Sequence, residues 1–265
     1  MSTIDKSSDL DKSSPRPVRA ENDPLVSCPI VCGEYMRATG FFFRANSQMY
    51  LITARHNLFT THVSITNPLT EGQLMQYSIT GYHPGIDVYL RSDDGWVCEH
   101  IDTTESLDTR LNQQFNLDVV ALKIEFDPNS FGYRIWTPKC LTDPEKDDNE
   151  LMIVGFDGAS FPSNELAYSV EEYSQSIGNP RLVPFENSIK EVSQFEIPLI
   201  GLGLDPQAAG SYTGLSGSPV IGDGLVGIHS CDDVLPKEAL MRLSESHVRR
   251  LSYFRSQVLE RLTAV

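Results

Sequence analysis

Short alternating or apolar segments, separated by Asn, Pro and Gly, recur along most of the chain. Their lengths and turn-punctuated spacing predict β-strands, and many short strands in series are typical of a barrel. The strands expected in the N-terminal half are 30–35, 40–44, 49–54, 63–66, 76–82, 88–91 and 119–126. Those expected in the C-terminal half are 151–156, 166–170, 192–198, 218–221, 225–230 and 239–243. The pattern therefore predicts an all-β fold built from two sets of strands.

The segments outside the strand sets differ in composition. Residues 1–24 are rich in Ser, Asp, Lys and Pro and poor in aromatic residues, which predicts a disordered N-terminal arm. Residues 127–150 contain three prolines and an acidic run, so they are interpreted as a linker between two barrels. The first barrel is expected over 25–126 and the second over 151–243.

The C-terminal segment, 244–265, carries apolar residues at helical spacing. These residues are Val248, Leu251, Val258, Leu259 and Leu262. Ser244 or Ser246 can cap a helix there, and Glu245 would lie in its first turn. The spacing predicts a C-terminal α-helix with its arginines on the solvent-exposed face.

Composition and charge narrow the class of protein. The 265 residues are 40% hydrophobic and 22% charged, which is ordinary for a globular protein. The formal net charge of −15 disfavours nucleic acid and anionic membranes as partners, because both attract cationic surfaces. Five cysteines form an odd set that fits free thiols in a reducing compartment. With no long apolar run and no signal-peptide layout at the N-terminus, the expected location is cytoplasmic.

One loop has the pattern expected of a nucleophile. Ser216 lies between Leu215 and Gly217, follows Gly214, and leads into a strand and a hairpin turn. The N–H groups of Gly214 and Ser216 can point into one pocket and hold a developing oxyanion. An ordinary polar hairpin is the alternative interpretation, because short Gly and Ser patterns recur by chance.

A serine nucleophile needs a base and a group that orients the base. Of six histidines, only His56 follows a clear strand, within Leu51-Ile52-Thr53-Ala54-Arg55-His56, which is preceded by Thr39-Gly40-Phe41. Asp118 leads into an apolar strand within Asn116-Leu117-Asp118-Val119-Val120. The order His, Asp, Ser and the segments themselves resemble chymotrypsin-like (trypsin-like) serine proteases, whose histidine segment usually ends Thr-Ala-x-His.

This resemblance implies two six-stranded antiparallel β-barrels with the triad in the cleft between them. His56 would act as the base, Asp118 would orient it, and Ser216 would be the nucleophile, with no metal or cofactor needed. The implied function is an intracellular serine endopeptidase acting on a protein or peptide. A defined protein substrate or regulatory partner in defence or stress response is a further expectation. The alternative is a catalytically silent binding or scaffold module on a protease fold.

The specificity pocket is expected on the strand after the nucleophile, which includes His229 and Ser230. Gly-Ser-Pro-Val followed by Gly-Ile-His is similar to the glutamyl endopeptidases, in which the histidine binds an acidic side chain. Ser211 matches a hydroxyl residue that assists in those enzymes. The acidic residue Asp232 instead favours a basic substrate. An acidic or glutamine side chain before the scissile bond is therefore the first expectation, a basic one the second and a small apolar one the third.

Two positions depart from the secreted members of this family. Leu215 stands where they carry the aspartate that pairs with a new N-terminus during zymogen activation, and Asn57 stands where many carry a disulfide cysteine. Leu215 argues against zymogen activation of that kind, and Asn57 agrees with an intracellular location. A zinc site from the pairs Cys28/Cys32 and Cys98/His100 is disfavoured, because they lack the close CxxC spacing of common structural sites.

Overall fold

The computed structural model describes residues 25–32, 36–58, 83–112, 117–143, 151–157, 177, 179–187, 200–205, 214–236 and 247–264. Within these ranges, seven strands form the first sheet: β1 Cys28–Cys32, β2 Met36–Ala45, β3 Gln48–Ala54, β4 Gly85–Ser92, β5 Gly95–Asp102, β6 Val119–Ile124 and β7 Ile135–Trp136. Six follow it: β8 Leu151–Gly155, β9 Arg181–Asn187, β10 Ile200–Asp205, β11 Pro219–Ile221, β12 Leu225–Pro236 and β13 His247–Arg255. Helices are short: α1 Thr103–Ser106, α2 Thr109–Asn112, and 3-10 turns at Arg55–Leu58, Pro128–Phe131, Pro138–Cys140 and Ser256–Thr263.

The first sheet is antiparallel along the order β5-β4-β1-β2-β3-β6, with β7 added parallel to β2. A tight turn joins β2 to β3, and Asn46 takes a left-handed conformation in it, with φ of 55°. Strand β3 pairs with β6 from Met49↔Ile124 to Ala54↔Val119. The residues that follow β3 and precede β6 therefore lie side by side at one end of the sheet.

The second sheet closes into a six-stranded barrel in the order β10-β13-β12-β11-β8-β9. Strand β13 pairs with both β10 and β12, while the short β11 lies between β12 and β8. The turn that carries Ser216 leads directly into β11. The two antiparallel sheets confirm the predicted all-β, two-barrel architecture.

Apolar packing joins the two sheets into one unit. The core cluster at their contact combines Phe41, Phe43 and Ile52 of the first sheet with Ile228 and Phe254 of the second, all fully or almost fully buried. Each sheet also has an apolar interior of its own. Burial of apolar surface contributes a free energy of about 25 cal/mol per Å². The shared core therefore stabilises the contact between the two barrels.

The predicted C-terminal α-helix is wrong over 247–255, which form β13, and only a 3-10 helix at Ser256–Thr263 follows. The backbone of β13 is hydrogen-bonded to strands on both sides, and this tertiary pairing overrides a weak helical spacing. Val258, Leu259 and Leu262 do share a buried face on the 3-10 helix. The proposed capping residues Ser244 and Ser246 lie outside the described residues.

Besides β13, four strands were not expected from the sequence pattern: β5, β9, β10 and the two-residue β7, which lies in the segment interpreted as a linker. Strand β5 alternates poorly, because its exposed outer positions include Val97, and β10 contains two glycines. The expected strands at 63–66, 76–82, 166–170, 192–198 and 239–243 lie outside the described residues, as does the N-terminal arm at 1–24.

The crossing segment between the barrels is packed along the part that the structure describes. Tyr133 and Trp136 are buried, and Ile135 and Trp136 pair with β2. Further along, Leu141 bridges to Leu225 of the second sheet. The segment thus contacts both barrels as it passes from one to the other.

Candidate active site

His56 and Asp118 meet because they flank paired strands. His56 lies in the 3-10 turn after β3, and Asp118 immediately precedes β6. The Arg55 amide donates to the Asp118 carbonyl at 3.1 Å, and the His56 amide donates to Asp118 Oδ1 at 2.9 Å. The His56 Nδ1 atom lies 2.6 Å from Asp118 Oδ2. Backbone and side-chain contacts together fix the imidazole against this carboxylate.

The charge of Asp118 is enclosed by donors. Its side chain is fully buried, while 15% of the His56 side chain is exposed. Ser230 Oγ donates to Asp118 Oδ2 at 2.6 Å, which adds a third hydrogen bond to the carboxylate. Burial lowers the pKa of His56, but the charge and hydrogen bond of Asp118 outweigh it, so the pKa of His56 lies above its ordinary value. The imidazole is therefore a stronger base than a free histidine.

Two glycines shape the turn around Ser216. Gly214 has φ of 98° and Gly217 has φ of 90°, a region that other residues rarely adopt. A Cβ atom at Gly217 would lie 2.2 Å from the Thr39 carbonyl oxygen, so the turn is pressed against the first sheet. The Gly217 amide donates to the His229 carbonyl at 2.8 Å, and the Ser218 amide donates to the Leu215 carbonyl at 3.0 Å. Only glycine at both positions allows this close approach.

Leu215 anchors the serine turn to the second barrel. Its side chain is fully buried in the apolar interior of the second barrel, with Leu151, Ile153 and Val220. A hydrophobic side chain thus holds the turn at the position where the secreted relatives of the resembled family carry an activating aspartate. No charged partner is required for this anchor, because burial alone stabilises it.

The Ser216 hydroxyl is connected to the His56–Asp118 pair only through Ser230 among the described residues. Ser216 Oγ donates to the Ser230 carbonyl at 3.0 Å. In the part of the chain that the structure describes, no hydrogen bond joins Ser216 Oγ to His56. Ser230 therefore links the two halves of the site, since its hydroxyl binds Asp118 and its carbonyl binds Ser216.

The two amides expected to bind an oxyanion have no acceptor within the described part of the chain. Neither the Gly214 nor the Ser216 N–H donates to any acceptor among the described residues. Uncommitted backbone donors beside a nucleophile are the arrangement that an oxyanion requires.

Of the four residues expected to determine specificity, His229 and Ser230 lie in the described part of the chain with their side chains. His229 is buried, with 1% of its surface exposed, and its amide donates to the Ser218 carbonyl at 2.8 Å. It pairs with Tyr253 across β12 and β13, next to a bulge between His229 and Cys231. Ser230 lies on the same strand, whereas Ser211 is outside the described residues. Asp232 is on β12, but its side chain is outside the described part.

Sequence reasoning missed several residues that hold the site. Thr39 and Asn57 both bond to the serine turn, and Arg181 Nη1 lies 2.9 Å from Asp157 Oδ2 beside it. The backbone of Asp157 would lie 3.4 Å from a Cβ atom at Gly214. A threonine in a strand carries no signal of such a role, and Asn57 was noticed only because it is not cysteine.

The cysteines considered for a metal do not meet. Cys28 and Cys32 are buried in the interior of the first sheet, and burial raises the pKa of both thiols far above the ordinary value. Cys98 packs with Tyr89 on a different cluster. Across the described ranges there is no group of three or more His, Cys, Asp or Glu side chains placed to hold a metal ion.

The helices within those ranges are too short or too polar to cross a bilayer.

Two antiparallel barrels, with a His–Asp pair on one and a glycine-flanked serine turn on the other, define a chymotrypsin-like serine protease fold. No protein-family model matches the chain, and no curated protein matches it either.

Solved structures similar to the chain include several proteases. A Glu endopeptidase in complex with MPD is 13% identical, with 92% of this chain and 90% of that chain covered and a TM-score of 0.47. The protease Anisep from Arthrobacter nicotinovorans is 13% identical, with 92% and 96% covered and a TM-score of 0.49. The HtrA-type protease AlgW with tripeptide is 12% identical, with 90% of this chain covered and a TM-score of 0.47. The chain spans 59% of the length of AlgW.

Proposed function

We propose that the chain is a serine endopeptidase that uses His56, Asp118 and Ser216 as its catalytic residues. The observation that carries the proposal is the 2.6 Å contact between His56 Nδ1 and Asp118 Oδ2. The Ser230 hydroxyl donates to the same carboxylate, and the Ser230 carbonyl accepts from the Ser216 hydroxyl. A buried carboxylate that orients an imidazole next to a serine is the arrangement of an activated nucleophile.

The proposed reaction begins with the tautomer of His56. When Nδ1–H donates to Asp118, the Nε2 lone pair is free to accept a proton. Ser216 Oγ turns from the Ser230 carbonyl, passes its proton to His56 Nε2, and forms a bond to the substrate carbonyl carbon. The imidazolium then gives this proton to the leaving amine as the peptide bond breaks. Water, deprotonated by the same nitrogen, hydrolyses the acyl-enzyme and regenerates Ser216.

The negative charge of the tetrahedral intermediate needs donors that are already in position. The amides of Gly214 and Ser216 are proposed for this role, because neither donates to an acceptor among the described residues and both lie on one turn shaped by glycines. Loss of one such donor costs about 3 kcal/mol in a well-studied protease. Asp118 would stabilise the imidazolium in the same step.

The proposed specificity follows the position of His229. This residue lies on the strand whose backbone contacts the serine turn, since its carbonyl accepts from the Gly217 amide. A buried imidazole can donate to a carboxylate or an amide side chain. We therefore propose an acidic or glutamine side chain before the scissile bond, with a basic side chain bound near Asp232 as the second candidate.

A catalytically silent binding module is the second candidate function. One observation favours it: the Ser216 hydroxyl donates to the Ser230 carbonyl and not to His56. A serine held in that orientation is not deprotonated by His56, so a protein that kept it there would bind peptides without cleaving them.

The deciding experiment compares wild type with Ser216→Ala in two assays, a fluorophosphonate probe and cleavage of a diverse peptide library. We expect the wild type to be labelled and to cleave after Glu or Gln, and we expect a loss of about 10⁶-fold in Ser216→Ala. Ser92→Ala is the matched control, because Ser92 Oγ also donates to a backbone carbonyl, that of Gly95 at 3.2 Å, but in a surface turn.

The outcomes separate the candidates. Cleavage after Arg or Lys would retain the triad and move specificity to Asp232. Absence of both labelling and cleavage in the wild type would contradict the endopeptidase proposal and favour the binding module. Equal labelling of wild type and Ser216→Ala would show that the probe reacts elsewhere.

The cellular setting is also a proposal. Cys28, Cys32, Cys98 and Cys140 carry free thiols in the described part of the chain. Free thiols are typical of a reducing compartment, which supports the proposal of a cytoplasmic location and of a protein substrate or regulatory partner there. Fractionation of cells with an antibody to the chain would test this, and recovery outside the cytoplasm would contradict it.

A further inference from the structure

Thr39 lies where the first sheet contacts the serine turn. It is on β2, it is fully buried, and its side chain meets residues that are far away in the sequence. Its hydroxyl donates to the Gly214 carbonyl at 2.9 Å and accepts from the Phe156 amide at 2.8 Å. The Phe156 carbonyl is more distant from the same hydroxyl, at 3.4 Å. One buried hydroxyl therefore joins three segments of the fold.

The backbone of Thr39 binds the same turn a second time. Its amide donates to the Ser216 carbonyl at 3.2 Å. Thr39 thus holds the carbonyls of both Gly214 and Ser216, on the two sides of the Leu215–Ser216 peptide unit. The Ser218 amide holds the Leu215 carbonyl between them at 3.0 Å. Because a peptide unit is planar, fixing these carbonyls also fixes the direction of the Ser216 amide.

Two further residues brace Thr39. Thr53 Oγ1 donates to the Thr39 carbonyl at 2.8 Å, and Asn57 Nδ2 lies 3.0 Å from both Thr53 Oγ1 and the Ser216 carbonyl. Asn57 directly follows His56 in the chain. The network therefore connects the segment of the proposed base to the backbone of the proposed nucleophile through hydrogen bonds that are buried at Thr53 and partly buried at the Ser216 carbonyl. Buried groups of this kind are costly to leave unpaired.

We propose that Thr39 is a positioning residue for the nucleophile: its hydroxyl holds the Gly214–Ser216 backbone in the one orientation that serves catalysis. This inference rests on the proposed endopeptidase function. Thr39 hydrogen-bonds to the backbone carbonyls of Gly214 and Ser216 and not to the Ser216 hydroxyl or the His56 ring, so it acts through the turn. With Thr53 and Asn57 it forms a polar link between the two barrels.

The test compares Thr39→Val, which removes the hydroxyl at nearly constant volume, with Thr39→Ser, which keeps it. Thr103→Val is the matched control, because Thr103 is also a buried threonine of the first barrel whose hydroxyl donates to a backbone carbonyl, that of His83. We expect kcat and the rate of fluorophosphonate labelling to fall about 100-fold in Thr39→Val, because small misplacements of reacting groups cost about that much. KM should change less than about twofold, and Thr39→Ser should recover most of the rate.

A second measurement does not depend on activity. Hydrogen–deuterium exchange of the peptide that contains Gly217 and Ser218 should quicken at least about tenfold in Thr39→Val. The reason is that the turn is no longer held in place, so the hydrogen bonds of these two amides open more often. It should stay at the wild-type rate in Thr39→Ser and Thr103→Val. Thermal unfolding of all variants checks that each is folded.

Failure of this inference differs from failure of the proposed function. If wild type is labelled and Thr39→Val is labelled at the same rate, the role of Thr39 is overturned while the endopeptidase stands. If wild type is not labelled, the endopeptidase is contradicted and the exchange data decide about Thr39 alone. Equal exchange in Thr39→Val and Thr103→Val overturns the inference in either case.

Discussion

The two barrels hold their parts of the site in different ways. His56 and Asp118 flank the paired strands β3 and β6, so their contact is set within one sheet. Ser216 lies on a turn between strands, and its carbonyl is held by Thr39 and Asn57 of the other barrel. The acid–base pair is therefore a property of one sheet, whereas the geometry of the nucleophile depends on how the two barrels pack.

Among the substitutions that test this comparison, the largest expected loss of activity is at Asp118, in the pair that the first sheet positions. Asp118→Asn removes the charge that raises the pKa of His56, and an amide nitrogen facing Nδ1 favours the wrong tautomer. We expect kcat/KM to fall about 10⁴-fold, measured with the peptide found by library cleavage. Asp87→Asn is the control, because Asp87 also contacts a histidine, His100 at 2.8 Å, but on the exposed surface. A similar loss in both variants would contradict the assignment of Asp118.

The next effect concerns the close approach of the barrels. Gly217→Ala places a Cβ atom 2.2 Å from the Thr39 carbonyl, in a backbone conformation with φ of 90°. We expect kcat to fall more than about 100-fold, because the turn must move away from the first sheet. Gly132→Ala has a comparable φ of 77° but meets nothing within 4 Å, so it isolates backbone strain from the clash. Equal loss in both variants would mean that contact with Thr39 does not matter.

A third prediction tests the apolar anchor of the turn. Leu215→Ala removes a fully buried side chain from the second barrel and should lower the free energy of unfolding by about 2–5 kcal/mol. Leu182→Ala, on an exposed strand position, should change it by less than about 0.5 kcal/mol. Urea unfolding followed by tryptophan fluorescence measures both. A small effect at Leu215 would show that hydrogen bonds alone hold the turn.

The last prediction concerns how activity and stability change with pH as His56 titrates. Because the folded-state pKa of His56 is raised above 6.5, kcat/KM should rise about tenfold per pH unit below that pKa and level off above it. The stability contribution has the opposite sign: protonated His56 stabilises the fold below pH 6.5, and this contribution is lost as pH rises through the folded-state pKa. Titration of His56 by NMR and a pH–rate profile should share one midpoint. A midpoint below 6.5 would contradict the charged contact with Asp118.

Much of this site was readable from residue patterns because its parts are local. A strand that ends in Thr-Ala-x-His and an aspartate that leads into an apolar strand are consecutive residues, and strand pairing then brings them together. The helix predicted over 244–265 failed at β13, because Val248 and Leu251 are three residues apart and such spacing does not exclude a strand. Pairing with β10 and β12 decided that conformation, and both partners lie outside the segment whose spacing suggested a helix.

The sequence by itself determined the all-β class, the order of the three candidate catalytic residues and the glycines that a tight serine turn requires. Only the tertiary structure decided the direction of the Ser216 hydroxyl, the anchoring of Leu215 and the link through Thr39. The physical reason is that a strand or turn is favoured by neighbouring residues, whereas a hydrogen bond such as that from Thr39 to Gly214 forms only after two barrels have packed.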